Sequence, residues 1–146
     1  MRVTESGEFF VDRPPNEVVA MLKNPEVAAR LIPGLSRVEK SGDEYVGEAS
    51  IKLGHLSGKM TVRFRYSKVE SNYVEVAGRA TGLQTTADFK ISAEVNAQGS
   101  GSIVKWRFDG EARGLAASLA PSIVRTALRS MAEDAARNLA ETLKRG

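Results

Sequence analysis

Polar and apolar residues alternate through most of the middle of the chain. From Tyr45 one face reads Tyr45, Gly47, Ala49, Ile51 and Leu53, while Glu44, Glu48, Ser50 and Lys52 take the other. The next run sets Leu56, Gly58, Met60, Val62, Phe64 and Tyr66 against Lys59, Thr61, Arg63 and Arg65. Val74, Val76, Gly78 and Ala80 repeat the pattern, and Ala87, Phe89, Ile91, Ala93 and Val95 oppose Asp88, Lys90, Ser92 and Glu94. Val104, Trp106, Phe108 and Ala112 close the series opposite Lys105, Arg107, Asp109 and Glu111. A period of two puts one set of side chains on a core and the other in water, as in antiparallel strands. The turn residues Ser41-Gly42-Asp43, Gly54-His55, Ser71-Asn72 and Gln98-Gly99-Ser100 leave room only for hairpins, so the strands form a meander.

The two ends differ. A first strand spans about Arg2 to Val11, with Val3, Gly7, Phe9 and Val11 inward and Glu5 on the same face. Arg13-Pro14-Pro15 stops it, and a prolyl start opens a helix running to about Lys23. Asn24-Pro25 opens a second short helix with Asn as cap, which Ile32-Pro33-Gly34 ends before a strand at about Leu35–Lys40. Near the C-terminus Leu119, Ile123, Ala127, Met131, Ala135, Leu139 and Leu143 recur every four residues, with Val124, Leu128 and Ala132 beside them. Arg125, Arg129, Glu133, Arg137 and Glu141 lie opposite. The spacing predicts one helix over about Leu115–Lys144, about 45 Å long at 1.5 Å per residue, with Pro121 in its first turn or at a kink. An antiparallel sheet has to cover its apolar face, and this helix is the element suited to it. The expected fold is therefore α+β: a helix-grip, with a curved antiparallel sheet of about seven strands wrapped around a long C-terminal helix and two short helices after the first strand.

Composition narrows the function classes. The 146 residues suit one domain, 1–146, and 42% hydrophobic with 27% charged residues is ordinary for a folded soluble protein. The longest apolar stretches, such as Val18-Val19-Ala20-Met21-Leu22, fall far short of the ~20 residues a spanning helix needs. No signal peptide is recognisable, so a cytoplasmic location is expected. The absence of cysteine excludes disulfides, thiolate metal sites and cysteine nucleophiles. The net charge is +3, but the signs are mixed: Lys40 is near Asp43 and Glu44, and Arg129 is near Glu133 and Asp134. That is a solvated surface rather than a nucleic-acid patch.

Catalytic and metal chemistry find few candidates. The single histidine, His55, sits in a hairpin turn without carboxylates at ligand spacing, and no serine lies in a nucleophile elbow. No cofactor or metal is expected. The inward faces carry Met60, Phe64, Tyr66, Phe89, Trp106 and Phe108, and the long helix opposes them with Ile123, Ala127 and Met131. These are candidates for lining a ligand cavity. Small residues on the helix (Ala120, Ala127, Ala132, Ala135) and on the strands (Gly47, Ala49, Gly58, Gly78, Ala80) either leave space or permit close approach, and the reading here favours space. Leu31, Ile32, Leu83, Leu115 and Leu119 are the candidate mouth. Tyr45, Tyr66, Tyr73, Trp106, Glu5 and Thr86 are the polar groups placed to orient a guest. An inward Glu5 pairs with an arginine or takes up a proton unless it is solvated at the strand start, the placement favoured here.

Three segments in order carry a family resemblance over nearly the whole chain. Phe9-Phe10-Val11-Asp12-Arg13-Pro14-Pro15-Asn16-Glu17-Val18-Val19 resembles the opening strand, prolyl turn and helix of the START/Bet v 1-like (SRPBCC) superfamily. Asn24-Pro25-Glu26 followed by Leu31-Ile32-Pro33-Gly34-Leu35 is similar to the DPE…IPG segment of the CoxG family, named for the CoxG subunit of carbon monoxide dehydrogenase. Ile51-Lys52-Leu53-Gly54-His55-Leu56-Ser57-Gly58-Lys59 resembles its V-x-x-G-P-[IV]-x-G hairpin, with His55 where proline is usual. The resemblance implies a non-catalytic accessory protein that holds an isoprenoid quinone or lipid. It further implies service to a carbon monoxide dehydrogenase or related molybdenum hydroxylase, with transient contact at the inner face of a membrane. Some members carry an apolar extension after the long helix. This sequence ends at Lys144-Arg145-Gly146, so attachment through such a tail is not expected. The alternative within the superfamily is a polyketide cyclase/dehydrase-like enzyme using Glu5, Tyr66 or His55 as acid or base.

Overall fold

The hydrophobic pattern folds into one sheet and three helices. The computed structural model describes residues 1–32, 34–53, 56–114, 118 and 121–145. Its order is β1 (Arg2–Val11), α1 (Pro15–Leu22), α2 (Pro25–Arg30), β2 (Leu35–Ser41), β3 (Glu44–Leu53), β4 (Leu56–Glu70), β5 (Tyr73–Gly82), β6 (Thr85–Gln98), β7 (Gly101–Gly114) and α3 (Pro121–Arg145). The strands pair antiparallel in the order β1-β7-β6-β5-β4-β3-β2, a curved, unclosed sheet with β1 and β2 at its edges. This is the expected helix-grip. Leu115, Leu119 and His55 lie outside the described residues, as do Pro33 and Gly54.

Local chemistry sets the element ends. Pro15 opens α1, and Asn24 caps α2 by accepting the Glu26 N–H at 3.0 Å through Oδ1. Free edges invite pairing with other chains. At β2 the register shifts between Ser36 and Glu39, where Arg37 takes φ 55, so a bulge breaks that edge. At β1 the helix intervenes: Arg125 Nη1 donates to the Arg2 carbonyl at 3.2 Å. Glu5 is inward as expected but is not simply solvated. Its carboxylate lies 3.2 Å from Arg129 Nε of α3, with the Glu5 side chain only 28% exposed, because the helix crosses beside β1.

The core is uneven along the helix. Around α1 and the C-terminal half of α3, Val11, Val18, Leu22, Val95, Val104, Leu139 and Leu143 form a tightly buried cluster. A second cluster joins α2 to β3, β4 and β5 through Ala28, Ala49, Val62, Phe64 and Val76. At the N-terminal end of α3 only Ala112 and Val124 are fully buried, with Ile51, Leu83, Ala87, Ala127 and Leu128 half-buried around them. The tight end is also fastened by polar bonds. Arg13 Nε donates to the Leu143 carbonyl at 2.8 Å near the C-terminus of α3, where a cation is favoured, and fully buried Ser102 donates to the Arg13 carbonyl at 2.7 Å. Outward, charges pair across strands. Asp88 receives Arg79 at 2.6 Å and Arg113 at 2.7 Å, and Asp109 receives Arg107 at 2.9 Å and the Thr4 hydroxyl at 2.9 Å.

Ser102→Ala should cost about 1–2 kcal/mol in urea unfolding, since it orphans a carbonyl at the tight end. A loss within error of zero would show that the fastening contributes nothing. Arg79 first and then Arg113 hold the Asp88 carboxyl below its ordinary range, and Arg107 does the same for Asp109. Carboxyls that titrate lower in the folded state stabilise fully above their unfolded value of about 4, and that contribution is lost as pH falls through the folded values. The urea midpoint should therefore drop from about pH 5 to about pH 3, and Asp88→Asn should flatten the drop. An unchanged slope in the variant would contradict the assignment.

Candidate functional site

The loosely filled end holds the site. Between α3 and the concave face of the sheet lies a cavity of about 90 Å3. Strand residues Met60, Phe89 and Phe108 and helix residues Ala127 and Met131 line it, and no polar atom does. Leu31 and Ile32, after α2, close it from the side. For scale, a dry cavity of about 150 Å3 admits benzene. The space takes less than one aromatic ring, and a larger guest requires movement at its walls.

Other expected lining residues go elsewhere. Phe64 is fully buried and stacks on Tyr45 at 5.4 Å between ring centroids, so it fills the second cluster. Tyr66 turns its hydroxyl to the Leu22 carbonyl at 2.8 Å and ties β4 to α1. Burial, followed by the neighbouring Tyr45, pushes that phenol far above its ordinary value. Trp106 lies over Gly7 on β1, where a Cβ would come within 2.8 Å of the indole, and faces a separate recess of about 20 Å3. Ile123 is 42% exposed. A strict four-residue row advances 40° per step at 3.6 residues per turn, so Ile123 stands about 160° from Leu139 around the helix. Val124, Leu128 and Ala132 continue the inner face instead.

Small residues contribute in two distinct ways. Ala49, Ala80, Ala127, Ala132 and Ala135 line the cavity, and so do Ala87 and Ala112, which alternation places inward without marking them as part of the site. The glycines leave no space. Leu35 and Val38 cover Gly47, Leu83 covers Gly58, and the Phe89 ring covers Gly78.

The mouth has one strained element. Gly82 pairs with Thr85, so Leu83 and Gln84 alone connect β5 to β6, a two-residue hairpin that no turn signal in the sequence marks. Both have positive φ, 54 and 52, as a tight hairpin of matching twist requires, although glycine or asparagine usually fills such positions. The Leu83 side chain offsets part of this strain by covering Gly58 and joining the Ala112–Val124 cluster beside the cavity. Thr85 Oγ1 donates to the Leu83 carbonyl at 3.1 Å, so it offers no free donor to a guest.

Among the described residues no group of three or more metal-ligating side chains gathers, and no helix is long and apolar enough to cross a membrane. A curved sheet gripping one long helix over an apolar hollow is the architecture of SRPBCC-like proteins, and solved structures agree. A conserved protein from Geobacillus kaustophilus superposes with a TM-score of 0.79 at 13% identity, covering 97% of this chain and 95% of that one. The Zhui aromatase/cyclase from Streptomyces sp. R1128 gives 0.68 at 11% identity over 99% and 95%. A third structure, TTHA0849 from Thermus thermophilus, gives 0.63 at 12% identity over 97% of each chain. At these identities the likeness concerns the fold alone. No curated protein matches the chain at a significant level. The family is nevertheless plain in the sequence: the chain belongs to the CoxG family of carbon monoxide dehydrogenase, whose profile matches residues 7–144.

Gln84→Gly should raise stability by about 1 kcal/mol, because glycine adopts the left-handed conformation without the Cβ penalty. The urea midpoint measures it, and a destabilised variant would mean that Gln84 makes compensating contacts that outweigh the strain.

Proposed function

We propose that the protein is a non-catalytic accessory of a carbon monoxide dehydrogenase-type molybdenum hydroxylase, and that it carries an apolar ligand between α3 and the sheet. The observation that carries this reading is the cavity's wholly apolar lining at the one end of the molecule where the core is thin. Family membership supplies the enzyme association. With no polar atom facing the space, affinity comes from hydrocarbon burial, about 0.8 kcal/mol per CH2. That suits the isoprenoid tail of a quinone or a lipid chain, with any polar head at the Leu31, Ile32 and Leu83 mouth. Entry requires α3 or the Leu83–Gln84 hairpin to shift outward. Brief contact of the mouth with the inner face of a membrane would give the ligand a route in.

A cyclase-type enzyme needs an acid or base facing the space. Glu5 is paired with Arg129 and Tyr66 with the Leu22 carbonyl, and neither lines the cavity. This favours carriage over catalysis.

The test is extraction of the protein from its native host in organic solvent, with mass spectrometry of what is released. A near-stoichiometric quinone or lipid is expected, together with saturable binding of the neutral dye N-phenyl-1-naphthylamine by stripped protein. Ala127→Phe, which fills the space, should weaken dye binding about tenfold or more, a loss of at least about 1.4 kcal/mol. Protein that is empty on isolation and blind to the dye would overturn the reading.

A further inference from the structure

The face of the sheet opposite the cavity carries an open groove of about 760 Å3. Its floor is Ala77, which the strand register sets between Arg65 on β4 and Lys90 on β6. Arg63 lies two residues before Arg65 on the same face, opposite Arg79 of β5. The cations of this face divide into two groups. Arg79 is committed to Asp88 and Arg107 to Asp109. Arg63, Arg65 and Lys90 are exposed and make no ion pair or side-chain hydrogen bond among the described residues. Glu44 lies on the groove's rim without forming an ion pair with either arginine. Three free cations around a small-residue floor therefore remain, held in fixed register by paired neighbours.

We propose that this groove docks an extended acidic segment of a protein partner, its backbone laid along β4 over Ala77. Alternate residues of a strand lie about 7 Å apart and neighbouring strands about 4.8 Å apart. Arg63 and Arg65 thus repeat at the spacing of alternate carboxylates on an extended chain, and Lys90, two strands from β4, meets a further carboxylate across the groove. Complementary charge fixes both orientation and register in such a contact. A lipid surface fits less well. Asp88, Asp109, Glu111 and Glu44 interleave with the cations and would repel anionic headgroups. The strongly exposed large apolar side chains Phe10, Val69 and Ile123 also lie outside the groove. A partner seated here leaves the cavity mouth, on the other side of the sheet, uncovered. Docking at the groove is thus independent of what the cavity holds.

Fluorescence anisotropy with a labelled synthetic peptide of alternating glutamate and serine, at about 50 mM salt, tests it. The expected result is saturable binding that weakens with added salt. Arg63→Glu/Arg65→Glu/Lys90→Glu should lose affinity about tenfold or more, with a neutral Arg63→Gln/Arg65→Gln/Lys90→Gln variant falling between. Circular dichroism melts confirm that each variant is folded, and the neutral variant carries the test if the reversed one is not. Lys23→Glu/Lys40→Glu/Lys144→Glu changes the net charge equally at exposed positions away from the groove and should leave binding intact. Equal losses in both charge-reversed variants would reduce the effect to overall charge and overturn the proposal. So would unchanged peptide binding accompanied by lost sedimentation with phosphatidylglycerol vesicles, which would assign the cations to a membrane.

Discussion

An open, curved sheet has to cover its concave apolar face, and in this protein one helix does nearly all of the covering. The 25 residues of α3 span about 38 Å at 1.5 Å per residue, enough to cross the sheet. The hydrophobic effect draws the helix onto the strands, but the fit differs along its length. Leu139 and Leu143 fill their end, where α1 adds a second layer. Ala127, Ala132 and Ala135 do not fill theirs, and the facing strands answer with Ala49, Ala80, Ala87 and Ala112. The hollow is a consequence of alanine meeting alanine across a gap whose width the leucines at the other end maintain.

The strands do two jobs with alternate residues. In β4, Met60 and Val62 face the helix while Arg63 and Arg65 face water. In β6, Phe89 faces inward while Asp88 and Lys90 face outward. Because the side-chain period is two, a shift of one residue in register would exchange the two surfaces entirely. The Arg79–Asp88–Arg113 cluster, strung across three strands, adds an electrostatic penalty to any such slip. Exposed pairs of this kind add little to stability, typically about 0–1 kcal/mol each, and their value here is in register.

Most of the fold was legible because its signals are local. Alternation marked the strands, and Pro15, Asn24 and Pro25 marked the helix starts. The site was legible in kind but not residue by residue. Alternation told which face Phe64, Tyr66 and Trp106 occupy, but not that Tyr45, the Leu22 carbonyl and Gly7 receive them. Those are neighbours supplied by pairings far apart in the chain. Ile123 was misplaced because a four-residue row drifts around a helix whose turn is 3.6. The glycines were read as empty space, when absence of a Cβ instead admits a neighbour's side chain. The Leu83–Gln84 turn escaped because it lacks the Asn or Gly that usually signals a two-residue hairpin. The free cations at Arg63, Arg65 and Lys90 were hidden in a mixed-sign composition, since only register shows which charges are already paired.

The pairing of β1 with β7 sets an order of events during synthesis. Arg2 meets Glu111 and Val11 meets Ser102, so the first strand waits at the ribosome until about a hundred more residues have been made. During that interval the β2–β7 meander exposes its entire inner face and one unpaired strand edge, and α1 has nothing to pack against. Loop-closure entropy grows only slowly with length, yet long-range pairing slows folding and leaves unfinished chains prone to association. The broken edge at Arg37 and the charged outer face would keep such nascent chains apart until β1 and α3 close the structure together.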